Sequence, residues 1–336
     1  MISFLALDDW ANVGYTYAQA LKSIGVEAEA YAMRPHAFQY PLQAKCGLGT
    51  KFIEAIVEKS DILVYMHSVF LPGELPGFHM DLLKDKKEVV FHGGSYYRAY
   101  YKHLNEVFNP RVQCSIIQTR DLFNLGAKNP IWVLPAVDIQ KLQPKRTRPL
   151  RTKLIVGHFP SSPLKGTIQY ILPLSYKMSD KFFFKIGNGY IGERVDWETN
   201  IKNISDCDIY IEALHIPAIP CQEFGVTALE ASALGVPTIT NFKSIDKYIE
   251  EYKINKSLSP FHMVNGSCGL LVANVPEQIE NWLNIIYDHR ETNLLNEISA
   301  FARDWVAKYH SYEAVGWRLM KKVFNEENGF YWTSVR

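Results

Sequence analysis

Residues 221–240 read CQEFGVTALEASALGVPTIT. The stretch sets a carboxylate, Glu223, and a glycine, Gly225, at the mouth of a short helical run, then stops that run with Gly235 and Pro237. The pattern predicts a helix from about Val226 to Leu234, after which GVPTIT returns the chain to a strand. The unpaired N–H groups and positive dipole end at its start form an anion site, and Gly225 lets a ligand approach the backbone. Glu230 lies about one turn inside, where a carboxylate can accept hydrogen bonds from vicinal hydroxyls, as acidic residues do with ribose in nucleotide folds. A helix that only packed would need no carboxylate at its entrance.

Other residues compete for attention. His92 closes the apolar run VVFH and is followed by Gly93 and Gly94, a pair that favours a functional histidine over a packed strand end. His67 in VYMHS is the weaker candidate. The segment YYRAYYKH at 96–103 carries Tyr96, Tyr97 and Arg98 and could stack on a sugar ring or a base. It reads equally as an amphipathic helix burying two of its four tyrosines. Asp206-Cys207-Asp208 spells DxD, a spacing suited to a metal and a diphosphate. Its place directly before the apolar run IYIEAL favours a structural role, so no metal site is expected.

These residues sit in a regular alternation of elements. ISFLAL, VEAEAYA, DILVYMH, KEVVFHGG, CSIIQT and IWVLP are short apolar runs, with helical stretches such as YTYAQALKSIG between them. Strand, loop, helix, strand is the rhythm of a parallel sheet covered by helices. The rhythm breaks at 144–153, PKRTRPLRTK, which reads as a linker. It resumes with KLIVGHF, GTIQYILPLSYKM, KFFFKIG, DIYIEAL and GLLVANV, and the segment from 293 is long enough for two helices. The fold class expected is α/β with two Rossmann-like halves, ligands binding at the carboxyl ends of the strands.

Bulk properties narrow the partners. The 336 residues suit two domains, and a net charge of +1 gives no electrostatic case for a nucleic-acid binder. Five scattered cysteines without a CxxC pair argue against a disulfide framework and favour a reducing compartment. The opening apolar run is short for a signal peptide, and no run approaches a membrane span. A soluble, cytoplasmic protein is expected, with peripheral membrane contact left open.

QEFGVTALEASALGVPTI resembles the signature of glycosyltransferase family 4, E-x-F-G-x-x-x-L-E-A-x-A-x-G-x-P, the donor-binding stretch of GT-B enzymes. SPLKGT resembles the family's Lys-Gly segment, VLPAVDIQKLQP its domain exit, and GLLVANVPEQIENWLNIIYD and RDWVAKYHSYEAV its closing segments. The resemblance implies a GT-B fold: residues 1–147 an acceptor domain, 148–310 a nucleotide-sugar donor domain, and 311–336 a helix crossing back to the first. It implies a retaining, metal-independent transfer from a UDP- or GDP-sugar to a hydroxyl of a glycan or other acceptor, with no further cofactor. Glu230 would hold the ribose, Lys165 would neutralise the diphosphate, and Phe224–Gly225 would face the phosphates or the sugar. Gly14, in DDWANVGYTYA, would allow close approach of donor or acceptor, and His92 would lie near the reacting sugar.

Two positions depart from the family pattern. The motif's first glutamate falls on Gln222, with Glu223 one place later, so either side chain could make the sugar contact. No arginine precedes Lys165; HFPSSPLKG offers His158, Ser161 and Ser162 instead. Two other readings therefore stay open: an inverting GT-B transferase on an unusual acceptor such as modified DNA, and a non-catalytic sugar-nucleotide or glycan-binding relative.

Overall fold

A computed structural model of the chain describes residues 1–47, 49–144, 152–215, 223–254 and 268–331. The chain divides into two compact units, Met1–Ala136 with His310–Arg336, and Val137–Tyr309. The division falls at Val137 rather than at 148, and a single side chain explains it. Arg303 donates to the carbonyls of Leu142 (2.6 Å) and Ile139 (3.0 Å), which ties the segment VDIQKLQ to the second unit. Most of the basic stretch expected as a linker lies outside the described residues.

Unit 1 carries seven strands: β1 Ile2–Ala6, β2 Ala28–Ala32, β3 Lys45–Cys46, β4 Ile62–Met66, β5 Lys87–His92, β6 Cys114–Ile117 and β7 Pro130–Trp132. They pair in parallel in the order β3-β2-β1-β4-β5-β6-β7. Strands β1 and β4 are buried on both faces, which is why their sequences are near-continuous apolar runs rather than alternating ones; Ser3 of β1 is polar, and its hydroxyl accepts from Ser60 (2.7 Å). Helices α1 (Val13–Ser23), α2 (Thr50–Lys59) and α3 (Gly94–Phe108) connect strands on the way. Successive strands build outward on opposite sides of the β1–β4 pair. Such a switch point opens a crevice at the carboxyl ends of the strands.

Unit 2 repeats the plan with five strands: β8 Leu154–His158, β9 Phe182–Ile186, β10 Ile209–Ala213, β11 Thr238–Thr240 and β12 Leu271–Val272. Their order is β12-β11-β10-β8-β9, again all parallel, with the switch between β8 and β10. Its helices are α4 (Leu172–Lys177), α5 (Trp197–Ser205), α6 (Val226–Ala233), α7 (Ile245–Glu251), α8 (Pro276–Asp288) and α9 (Leu294–His310). The segment GTIQYILPLSYKM is a π-turn over Thr167–Ile171 followed by α4, not one α-helix. Pro173 has no N–H to give, so the α ladder restarts around it.

The last helix, α10 (Tyr312–Lys322), clusters with unit 1, where it packs along α1. Gly316 makes the close approach: a Cβ there would collide with the Ala20 carbonyl oxygen. Alanine ordinarily gains about 1 kcal/mol over glycine within a helix. Here the neighbour is backbone and cannot yield, so overpacking, costing about 1–3 kcal/mol, should win. Gly316→Ala is expected to lower the urea midpoint with an unchanged m-value. A raised midpoint would show that the two helices have room to spare.

Candidate functional site

In unit 2 the switch point is built around a buried carboxylate. Glu212 lies on the central strand β10 with no exposed surface. Its Oε1 pairs with Lys165 Nζ, and its Oε2 accepts from the Thr240 hydroxyl (2.8 Å) on β11. Burial pushes the Glu212 carboxyl up, but the opposing pull of Lys165, His215 and Thr240 brings it below the usual range. Lys165 reaches this partner because Gly166, in the left-handed region (φ 78°), brings the turn against the end of β10. Leu214 N–H donates to the Lys165 carbonyl (3.3 Å) at the same place.

The start of α6 comes to the same point. A Cβ on Gly225 would stand 2.9 Å from Glu212 Oε1 and 3.5 Å from Lys165 Nζ, so no larger residue fits beside the pair. The Lys165 ammonium and the start of α6 at Gly225 therefore lie side by side. Phe224 is 3% exposed and packs edge-on against Phe242 (5.0 Å) and Trp305 (6.1 Å). It anchors the helix start rather than standing open to a ligand. Glu223 is fully buried beside it, and Gln222 lies outside the described residues.

Glu230, on α6, is buried and accepts from the indole N–H of Trp197 (2.6 Å), the first residue of α5. Burial pushes its carboxyl up to about 7, against the pull of Trp197 and Lys165. His158, at the end of β8, is buried and bridges the Ile211 carbonyl (2.8 Å) and the Thr167 hydroxyl (2.9 Å). Burial lowers it to about 4, so it is neutral at physiological pH and clamps β8 to β10. Asp208 accepts from the Ile155 amide (2.8 Å) and Asp206 caps the end of α5, so the DxD pair is built into the strand start. Among the described residues no group of three His, Cys, Asp or Glu side chains could hold a metal ion.

In unit 1 a cavity of about 490 Å³ opens at the carboxyl ends of β1, β4, β5 and β6. Its lining includes Trp10, His67, Gly93, Tyr96, Tyr100 and Gln118. His67, not His92, faces it. His92 is fully buried, bonded through Nδ1 to the Ser68 hydroxyl and stacked on Tyr97 (3.9 Å between rings). Burial lowers His92 to about 3, which keeps it neutral. Tyr97 is itself buried, its hydroxyl donating to Asn105 (2.7 Å). Arg98 is held by both carboxylate oxygens of Asp121 and by the Thr119 hydroxyl. Of the three residues expected on the acceptor side, only Tyr96 reaches the cavity. Gly14 is also placed differently: its amide donates to Asp9 Oδ1 (2.7 Å), and the close approach there is made by Asp9 of the same chain.

No protein-family model and no curated protein sequence matches the chain. Solved structures do. A glycosyltransferase from Rickettsia africae ESF-5 is 13% identical, with a TM-score of 0.58 over 95% of this chain and 97% of that one. AviGT4, a glycosyltransferase of avilamycin A biosynthesis, is 12% identical, with a TM-score of 0.51 over 96% of each chain. A mutant of T4 phage BGT in complex with UDP-glucose is 10% identical, with a TM-score of 0.50 over 96% of this chain and 99% of that one.

The chain has the GT-B fold.

The structure brings the expected α6 start, Lys165 and Glu230 together, beside groups the sequence had not singled out. Glu212 left a signal, an acid inside the apolar run IYIEAL. Trp197 left none, since a tryptophan after an aspartate reads as an ordinary helix start. Trp10 and Asp9 stand in DDWANVG, where attention to Gly14 hid them.

Two outcomes follow for stability. Lys165→Met would leave Glu212 buried without its counter-charge, a loss of about 3–5 kcal/mol. Lys165→Met with Glu212→Gln should recover most of it in urea unfolding; additive losses would show that the pair is not coupled. Glu230 binds its proton more tightly folded than unfolded, its ordinary value being 4.5. Its contribution is therefore full below about 4.5 and lost as pH rises through about 7. Stability is expected to fall between pH 5 and 8, and Glu230→Gln to flatten that slope. An identical slope in the variant would remove Glu230 as its source.

Proposed function

We propose that the chain is a glycosyltransferase that moves a sugar from a nucleotide-sugar donor to a hydroxyl acceptor. The observation that carries this reading is the convergence of Lys165 and the α6 start beside buried Glu230, at the switch point of a parallel sheet in a GT-B fold. Breaking a glycosyl–phosphate bond puts negative charge on the leaving oxygen. A fixed ammonium and preorganised N–H groups stabilise that charge in the transition state. Glu230 then meets the ribose hydroxyls, and Gly225 leaves room for the phosphates against the backbone. Unit 2 takes the donor and unit 1 the acceptor. The UDP-glucose in the T4 phage protein's complex supports a uridine diphosphate sugar as the donor, with a guanosine diphosphate sugar as the alternative the screen below includes.

With charge on the leaving group met by Lys165 and the helix start, the transfer runs without a metal ion. We favour front-face transfer, in which the departing phosphate takes the acceptor proton and the anomeric configuration is retained. One observation favours inversion instead: His67 Nε2 lies 3.8 Å from Asp9 Oδ1 at the unit 1 cavity, an arrangement able to remove a proton. The NMR time course of the product anomer separates the two.

A thermal-shift screen over UDP- and GDP-sugars, followed by transfer assays, tests the function. Ligand at 100 times its dissociation constant should stabilise by about 2.7 kcal/mol. Lys165→Met in the Glu212→Gln background should lose roughly 10²-fold or more in turnover, activity should survive EDTA, and Glu223→Ala should cost more turnover than Gln222→Ala. Binding of no nucleotide sugar, or activity abolished by EDTA and restored by Mn²⁺, would overturn the reading.

A further inference from the structure

The unit 1 cavity has features that the donor chemistry does not use. Four non-glycine residues beside it, Ala11, Asn12, His67 and Ser68, have φ between 55° and 63°. Each such position costs of order 1–3 kcal/mol and is held only where the surroundings enforce it. Trp10 and His67 line the cavity. His67 is 3% exposed, and both its ring nitrogens are buried without a hydrogen-bond partner among the described residues. Asp9 Oδ1 stands 3.8 Å from Nε2, beyond hydrogen-bond reach, so a bonded hydroxyl would replace the water the imidazole has lost.

The charges around the cavity decide what that is. No lysine, arginine or carboxylate is among its lining residues. The start of α1, which would otherwise attract an anion, is filled by Asp9, bonded to the amides of Gly14 (2.7 Å) and Tyr15 (2.8 Å). Arg98 faces Asp121 and Thr119. The start of α3, at Gly93–Ser95, lines the cavity, but a phosphate there would meet no cationic side chain and would stand near the Asp9 carboxylate. The walls are aromatic: Trp10 and Tyr96 meet at 76°, 6.3 Å between rings, with Tyr100 4.9 Å beyond Tyr96. That is a corner rather than a parallel slot, so it does not clasp a flat base on two faces. A puckered ring with one apolar C–H face and hydroxyls at its edge fits it. Gly93 lets the His67 ring pack against the backbone, since a Cβ there would press on His67 Nδ1 at 2.7 Å.

We infer that this cavity binds a neutral pyranoside, its C–H face on Trp10 and Tyr96 and a hydroxyl bonded to His67, with Gln118 and Ser95 at the rim. That this sugar is the acceptor rests on the glycosyltransferase reading; its binding does not.

The test is saturation-transfer NMR on the intact protein with methyl glucoside, methyl galactoside and methyl mannoside as probes. At least one is expected to bind, with saturation strongest on the protons of its C–H face. Trp10→Ala should weaken it roughly tenfold or more. Ala99 lines the cavity from an exposed helical position, so Ala99→Phe should fill the space and abolish binding while the fold survives. Failure of all three glycosides, binding indifferent to both variants, or preference of this cavity for inorganic phosphate or uridine monophosphate would overturn the inference. Parallel titration with UDP and GDP reads unit 2 separately. Nucleotide binding without glycoside binding sinks only the inference. Glycoside binding with neither nucleotide binding nor transfer sinks only the glycosyltransferase reading.

Discussion

A carboxylate on the central strand of a buried parallel sheet cannot stand alone. Moving an ion such as Glu212 out of water costs several kcal/mol unless a partner of opposite charge and further hydrogen bonds meet it. Unit 2 is arranged around this demand. Lys165 must reach inward, so its turn must pass through a left-handed glycine against the end of β10. Thr240 must present its hydroxyl from β11, and position 225 must lack a side chain. The result is a lysine fixed in place before any ligand arrives, at the mouth of a helix, with little of its rotamer entropy left to lose. Preorganisation of this kind is what a transition state with developing negative charge rewards.

Unit 1 uses the same plan with the opposite electrostatic outcome. Both units set their working residues at the switch point of a parallel sheet, and both bring a helix start to it. In unit 2 the helix start stands beside an ammonium. In unit 1 the start of α1 is closed by Asp9, the start of α3 lines the cavity without a cation beside it, and the neighbouring wall is aromatic. Two copies of one architecture thus present a charged lining in one case and a largely aromatic one in the other.

The fold was legible because its signals are physical and local. Strands buried on both faces must be apolar almost throughout, so ISFLAL and DILVYMH announced β1 and β4, and the polar residues after them marked their ends. The helix start at Gly225 and the carboxylate at Glu230 were legible for the same reason. Residues that act through distant partners were not. His92 carries the better local context, yet strand geometry turns it beneath Tyr97 and leaves His67 on the cavity side. Arg98 looked available until Asp121, 23 residues on, was seen to hold it. Residue 147 looked like the end of the first half because the Arg303 that ties the preceding segment to the second unit lies far along the sequence. Pairings across such separations leave no periodic trace.

The return of α10 to α1 has a consequence for how the chain comes into being. Unit 2 is continuous in sequence, whereas unit 1 is assembled from two pieces with all of unit 2 between them. While the chain emerges from the ribosome, the first 136 residues can form their sheet, but the face of α1 that receives Gly316 stays bare. Residues 137–309 can complete a core of their own in the meantime. The N-terminal unit would thus be the last to close, its apolar helix waiting in water for a partner not yet made, and in that interval the nascent chain would be most exposed to aggregation and to chaperones.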